Sequence, residues 1–317
     1  GEVSMLSMEE RHRIVHETMK MRTGKLFFYY GCTGATTEAT IDYVAQAASE
    51  GVDGAIIAAP AYICASNAQI VQFCLDVADS SVIPLGFYNN PPRVGTDLTA
   101  SDLLCIAEHP RFEVLKESTT RVGQVAQMCR AKPNMALMCC CSPNLGLVIP
   151  LMSLGGHGTA NKTGNIIPRE MAIISKPWRT GEDAFACREA WLRNLPMLHF
   201  AYSAVNPVAI KSLMHAVGLP AGPMRKPLSG LETKALKELS PKYWCNEIQN
   251  KVLDVTKNNF NTDNPFPKPP VTHHTLLTTS LSWYWQYGII EAGWSNYDFP
   301  NKIAFNDPQK KNDSSFF

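Results

Sequence analysis

Between residues 25 and 164 the chain alternates two kinds of segment. Short, near-continuous apolar runs (KLFFYYG, GAIIAAPAY, VIPLGFYNN, FEVLKES, MALMCCC and GHGTANKTG) are separated by longer stretches in which apolar residues recur at helical spacing. In TTEATIDYVAQAASEG, for example, Ile41, Val44, Ala45 and Ala48 share one face. A run that is apolar at nearly every position is a strand covered on both sides, the condition of a parallel sheet wrapped by helices. Regular strand–helix alternation predicts a right-handed β/α architecture, either an open doubly wound sheet or a closed barrel.

Two features favour the barrel. No G-x-G-x-x-G follows the first strand, so the fingerprint of a dinucleotide-binding open sheet is missing. Polar residues also gather where strands end: Tyr62, Tyr88 with Asn89, Lys116 with Glu117, and Asn161. In a barrel those ends meet at one mouth, where active sites are built. A complete barrel has eight strands and the pattern supplies six. The expectation is therefore a (β/α)8 TIM barrel lacking its first two strands. The opening GEVSMLSMEERHRIVHETMK predicts a loop, a Ser7 cap with Glu10 three residues on, and a helix. Thr99 or Ser101 is the expected cap of TASDLLCIAEHP. The barrel is expected over residues 1–175 and a helical segment over 176–240. From 241 to 317 the chain turns rich in Asn, Pro, Thr and Trp without a sustained period, and no structure is assigned there.

Composition narrows the function classes. A net charge of +1 supplies no field to steer the chain toward nucleic acid or an acidic membrane. No apolar stretch approaches the roughly 20 residues of a transmembrane helix, and no signal peptide is visible, so a cytoplasmic location is expected. Ten cysteines, three of them consecutive at 139–141, lack a C-x-x-C pair and read as packed, reduced thiols. HRIVH places His12 and His16 on one helix face without the glutamate of a zincin. His157 reads as a turn residue, and His273 and His274 lie in the C-terminal stretch with no third ligand. No metal or other cofactor is expected.

Lys116 is the sharpest candidate. At the end of a buried strand, desolvation favours the neutral amine, which is the nucleophilic form and attacks a ketone to give an imine. The alternative is a lysine whose stem carries the amine out to solvent. Tyr88 ends the preceding strand and is placed for proton relay, or is an ordinary amphipathic tyrosine. Arg93, in the proline-stiffened NNPPRVG, has the fork that grips a carboxylate, or is a solvated loop arginine. Tyr62, in APAY, is the third mouth residue.

YNNPPRVGTDL resembles the Y-N-x-P-x-R-T-G-x-D-L motif of the dihydrodipicolinate synthase and N-acetylneuraminate lyase family, and FEVLKEST resembles that family's strand with its Schiff-base lysine. AAPAY is similar to its T-P-Y-Y, LGGHGTANKTGNIIP to its last strand and loop, and VNPVAIKSLMHAVGLPAGPMRKPLSGL to its C-terminal helices. The likeness runs from Gly1 to about Leu239. It implies a (β/α)8-barrel class I aldolase or hydratase that binds pyruvate or another 2-keto acid as an imine, without a cofactor. On this resemblance Lys116 forms the imine and Tyr88 relays protons. Arg93 holds a carboxylate of the second substrate or product, Tyr62 reaches into a neighbouring subunit's site, and Ala160 lends the pocket its backbone carbonyl. A homotetramer built as a pair of dimers is implied. So is a synthase reaction condensing pyruvate with an aldehyde, aspartate semialdehyde favoured. Another aldolase or hydratase of the family, acting on sugar acids or aromatic hydroxy-keto acids, and an inactive truncated relative are the alternatives.

The departures are specific. The opening Gly-Glu matches the end of the family's G-T-T-G-E, so its two threonines would precede Gly1. Val94 stands for the threonine after the arginine, and Ala61 for the first tyrosine of T-P-Y-Y. The residues of the allosteric lysine pocket have no match, so feedback inhibition by lysine is not expected.

Overall fold

Six parallel strands pair strictly in chain order: β1 (Tyr29–Gly31), β2 (Gly54–Ile57), β3 (Leu85–Asn89), β4 (Phe112–Glu117), β5 (Ala136–Cys140) and β6 (Gly158–Ala160). A doubly wound sheet reverses its strand order at a switch point. No reversal occurs here, and the sheet curls as a partial (β/α)8 barrel. The structure, a computed structural model, describes residues 1–22, 27–216, 219 and 221–231. The expected tail at 241–317 and the start of the first apolar run lie outside the described residues.

The helices follow the predicted order: α1 (Met8–Met21), α2 (Thr37–Ser49), α3 (Asn67–Ser80), the short α4 (Pro91–Val94), α5 (Ala100–Ala107), α6 (Val122–Ala131), α7 (Val148–Ser153), α8 (Pro168–Ser175), α9 (Gly181–Ala201) and α10 (Val208–Ala216). Reciprocal capping boxes satisfy the first free amides of four of them: Ser7 with Glu10, Ser66 with Gln69, Thr99 with Asp102, and Thr180 with Asp183. Thr99 is thus the cap of α5, and the Ser101 hydroxyl bonds to the Thr99 hydroxyl at 2.8 Å.

The two faces of the sheet bury different residues. Ala55, Ile57, Leu85, Phe87, Leu115, Leu137 and Cys139 point outward into the large core beneath the helices. Val114, Met138 and Ala160 point inward and pack with Tyr29 and Ile56 in a separate layer that fills the lumen. Gly54 and Gly86 make that layer possible. A Cβ at Gly54 would lie 2.3 Å from the Tyr29 ring, and one at Gly86 would lie 2.4 Å from Ile56 Cδ1. Facing is set at a bulge: Leu85 pairs with Phe112 but Gly86 pairs with Val114, leaving Glu113 as the extra residue. That insertion turns Phe112 outward and Val114 inward, so Lys116 faces the lumen and Glu117 the helices.

The loop before α1 is fastened to the C-terminal helices. Buried Lys211 of α10 donates to Glu2 Oε2 at 2.9 Å and to the Pro223 carbonyl at 2.8 Å, and the Arg225 amide donates to Glu2 Oε1 at 2.8 Å. Among the described residues, all cysteines are free thiols, no three His, Cys, Asp or Glu side chains are grouped to hold a metal, and no helix is long and apolar enough to cross a membrane.

Candidate active site

Above the apolar lumen layer the inward positions become polar, at the carboxyl ends of the strands. Lys116 is 4% exposed, so its amine does not reach solvent along its stem. Its Nζ lies 3.8 Å from the centroid of the ring of Tyr88, its register partner on β3. Burial brings the amine down to about 8; the Cys140 and Cys141 thiols oppose that fall, and the Lys162 ammonium adds to it. Cys141 is itself pushed up to about 12, chiefly by burial, and so stays a neutral thiol near neutrality. A substantial fraction of Lys116 is therefore the free amine under mildly basic conditions.

Tyr88 is half-buried. Burial first, and Cys140 next, raise its phenol, while the Ser118 hydroxyl and the Arg93 guanidinium oppose the rise. The phenol is accordingly a proton donor at neutral pH. The Glu117 carboxylate also raises the Tyr88 phenol, from outside the pocket. It faces the helix side, where Gln124 donates to it at 3.0 Å, Asn89 at 3.2 Å and the Ser118 amide at 2.9 Å.

Arg93 sits on exposed α4 and donates to the Asn206 carbonyl at 3.2 Å, which ties α4 to the turn between α9 and α10. Its charge reaches inward far enough to act on Tyr88 and Lys162. Ala160 is the last residue of β6, pairs with Cys140 and is 9% exposed at the top of the lumen layer. Tyr62 stands apart from this cluster within the chain. It is 94% exposed with a left-handed φ of 75°, because the chain turns away after β2, and it does not join Lys116 within this chain.

The expected residues are accompanied by others that the sequence reading did not single out. Lys162 is buried beyond the end of β6, with its Nζ 4.1 Å from the centroid of the Tyr202 ring. The Tyr202 hydroxyl in turn contacts Cys140 Sγ at 3.3 Å and Cys141 Sγ at 3.1 Å. For Lys162 a signal existed: it continues the inward alternation of Gly158 and Ala160. For Tyr202, in the turn after α9, none did.

His12, His16 and His157 stabilise the frame. His16 and His12 both reach Glu50, at 2.9 and 3.4 Å, linking α1 to α2. His157 accepts the Leu137 amide at 3.1 Å, so its ring extends the β5–β6 pairing.

A partial (β/α)8 barrel with a buried amine of lowered basicity at its mouth has the architecture of a barrel enzyme. The model of the Dihydrodipicolinate synthetase family matches residues 1–242, and the chain belongs to that family, whose relatives here are lyases. A 4-hydroxy-tetrahydrodipicolinate synthase from Clostridium novyi (strain NT) is 30% identical over 242 residues, 75% of this chain and 80% of that protein. The crystal structure of dihydrodipicolinate synthase from Thermotoga maritima has the same fold, with a TM-score of 0.71 at 20% identity over 81% of this chain and 84% of that one. A chloride-inhibited dihydrodipicolinate synthase from Acinetobacter baumannii, solved in complex with pyruvate, gives 0.69 at 24% identity over 81% and 84%.

Proposed function

We propose that this chain is a pyruvate-dependent class I aldolase of the synthase type, condensing pyruvate with an aldehyde, aspartate semialdehyde favoured, through an imine on Lys116. The observation that carries the reading is the buried Lys116 amine, lowered to about 8 and held against Tyr88. The neutral amine attacks C2 of pyruvate. The Tyr88 phenol gives a proton to the departing hydroxyl of the carbinolamine, which leaves as water and yields the imine. Loss of a proton from C3 then gives the enamine, because the imine nitrogen takes up the electron pair. C3 attacks the aldehyde carbon, a C–C bond forms and the aldehyde oxygen gains a proton. Arg93 holds the carboxylate of the incoming aldehyde, and the carbonyl of Ala160 lines the pocket. The lumen layer beneath, made of Tyr29, Ile56, Val114 and Met138, keeps water from approaching the amine from below.

The pyruvate complex of the Acinetobacter protein supports the choice of donor. The exposure of Tyr62 supports a homotetramer, a pair of dimers in which this side chain completes a neighbour's site; sedimentation velocity tests it. The proposed setting is cytoplasmic, in lysine biosynthesis.

Borohydride reduction in the presence of pyruvate, followed by peptide mapping, tests the reaction. A pyruvate-sized adduct on Lys116 supports it. Folded protein that gives no adduct, or an adduct on another lysine, overturns it.

A further inference from the structure

Lys162 is a buried amine that the fold does not explain. It is 3% exposed, and its Nζ has no hydrogen-bond partner among the described residues. Its Nζ lies 4.1 Å from the centroid of the Tyr202 ring. A ring face attracts an ammonium but does not satisfy three N–H donors that have lost their water. A methionine would fill the same space without that cost, so the amine answers no structural need.

Its direction comes from β6. Thr159 and Asn161 belong to the outer side, where Thr159 bonds to Ser175 of α8 at 2.6 Å and Asn161 donates to Thr159 at 3.3 Å. Gly158 and Ala160 face the lumen, and Lys162 continues that series into the pocket above it. The turn that follows holds the backbone in place, since Asn165 Nδ2 donates to the Lys162 carbonyl. The Lys162 ammonium lowers the basicity of Lys116, and the Arg93 guanidinium lowers that of Lys162.

Glu117 and Glu2 hold other partners. Glu117 is turned to Asn89 and Gln124, and Glu2 to Lys211 and the Arg225 amide. Among the described residues, Lys162 Nζ has no hydrogen-bonded carboxylate. We propose that Lys162 is a specificity-determining residue that, together with Arg93, receives the carboxylate of the acceptor aldehyde, so that the site selects carboxylate-bearing acceptors over neutral ones. This rests on the aldolase reading above for the identity of the ligand as an acceptor. Burial of the amine excludes water from the contact, which makes each charge-assisted hydrogen bond stronger than it would be at the surface.

The test uses the whole chain with Lys162→Met and Lys162→Arg. KM is measured with pyruvate and three aldehydes: aspartate semialdehyde, succinic semialdehyde and neutral glycolaldehyde. In parallel, calorimetry measures the Kd of succinate, which carries the carboxylate but cannot react. In Lys162→Met the preference for anionic over neutral acceptors falls about tenfold or more, and succinate binding weakens by a similar factor, as expected for loss of a hydrogen bond to a charged group. Lys162→Arg restores most of both. Equal changes for neutral and anionic aldehydes, or unaltered succinate binding, overturn the proposal. Should Lys162→Met fail to fold, succinate must protect Lys162 of the parent protein from amine acylation, and absence of protection has the same consequence. Failure of pyruvate to label Lys116 would remove the aldolase reading alone, with succinate binding still deciding whether Lys162 is an anion site.

Discussion

Replacing Lys116 by methionine keeps the buried stem and removes the charge, and the expected result is a more stable, inert protein. A lysine that ionises at about 8 instead of the ordinary 10.5 has its charged form disfavoured by roughly 3 kcal/mol, at about 1.4 kcal/mol per pH unit. The expected gain near pH 7 is therefore roughly 3 kcal/mol, the amount that linkage removes between about 8 and 10.5. Its pH dependence has a definite sign. Between about 8 and 10.5 the unfolded chain binds the proton that the folded protein has released, so the parent's stability rises with pH across that window. Lys116→Met has no such rise. Its advantage is full below about 8, shrinks through the window and is gone above 10.5. Urea unfolding by far-UV circular dichroism at a series of pH values reads this directly. A variant less stable than the parent near pH 7 with the same m-value, or an advantage that does not change with pH, would refute the reasoning. Borohydride trapping with pyruvate should be abolished in the same preparation.

Condensation by the parent should rise with pH through about 8 as Lys116 loses its proton, and a pH–rate profile of kcat/KM for pyruvate that is flat there would count against Lys116 as the nucleophile. Tyr88→Phe removes the proton donor and should slow imine formation by about 10²–10⁴-fold while leaving the modified lysine the same, as stopped-flow trapping would show. Arg93→Ala, on an exposed helix, should leave urea unfolding within about 0.5 kcal/mol of the parent and raise the KM of the aldehyde far more than that of pyruvate. Lys211→Met strands the buried Glu2 carboxylate and should cost about 3–5 kcal/mol, a loss that the further change Glu2→Gln largely recovers.

Element order and helix starts were legible because their signals are local. Ser7 with Glu10 and Thr99 with Asp102 are capping pairs three residues apart, readable without knowledge of the rest of the fold. Facing within the strands was not legible. FEVLKE is buried on both sides, which erases the period-2 pattern that separates inside from outside. Which of Lys116 and Glu117 enters the lumen depends on the bulge at Glu113 opposite Gly86, a contact with a residue 27 positions away. The outward turn of Tyr62 was hidden for the complementary reason. Its strand ends at Ile57, and the left-handed turn that carries the side chain outward leaves no mark in the apolar pattern. Motif resemblance found Lys116, Tyr88 and Arg93 because they sit in strings similar to the family's; it passed over Lys162, where the string alone gives no hint that Tyr202 will close over the amine.

The features that sequence reading found hardest share one physical character. Lys116 and Lys162 are buried amines, each lowered to about 8 by the same loss of water. Both are polar groups where the hydrophobic pattern calls for apolar ones. A fold optimised for stability alone would place methionine at both positions. Their costs are of different kinds. On the proposed reading, Lys116 lies against a phenol that passes protons in imine formation, so its burial is matched to bond-making. Lys162 lies against a ring with no hydrogen bond from its amine among the described residues, and on the same reading its burial is matched to a bound anion. If both variants to methionine gain stability, and only Lys116→Met loses the pyruvate adduct while only Lys162→Met loses succinate, then one physical cause, desolvation of an ammonium, serves two separable functions near the carboxyl ends of β4 and β6.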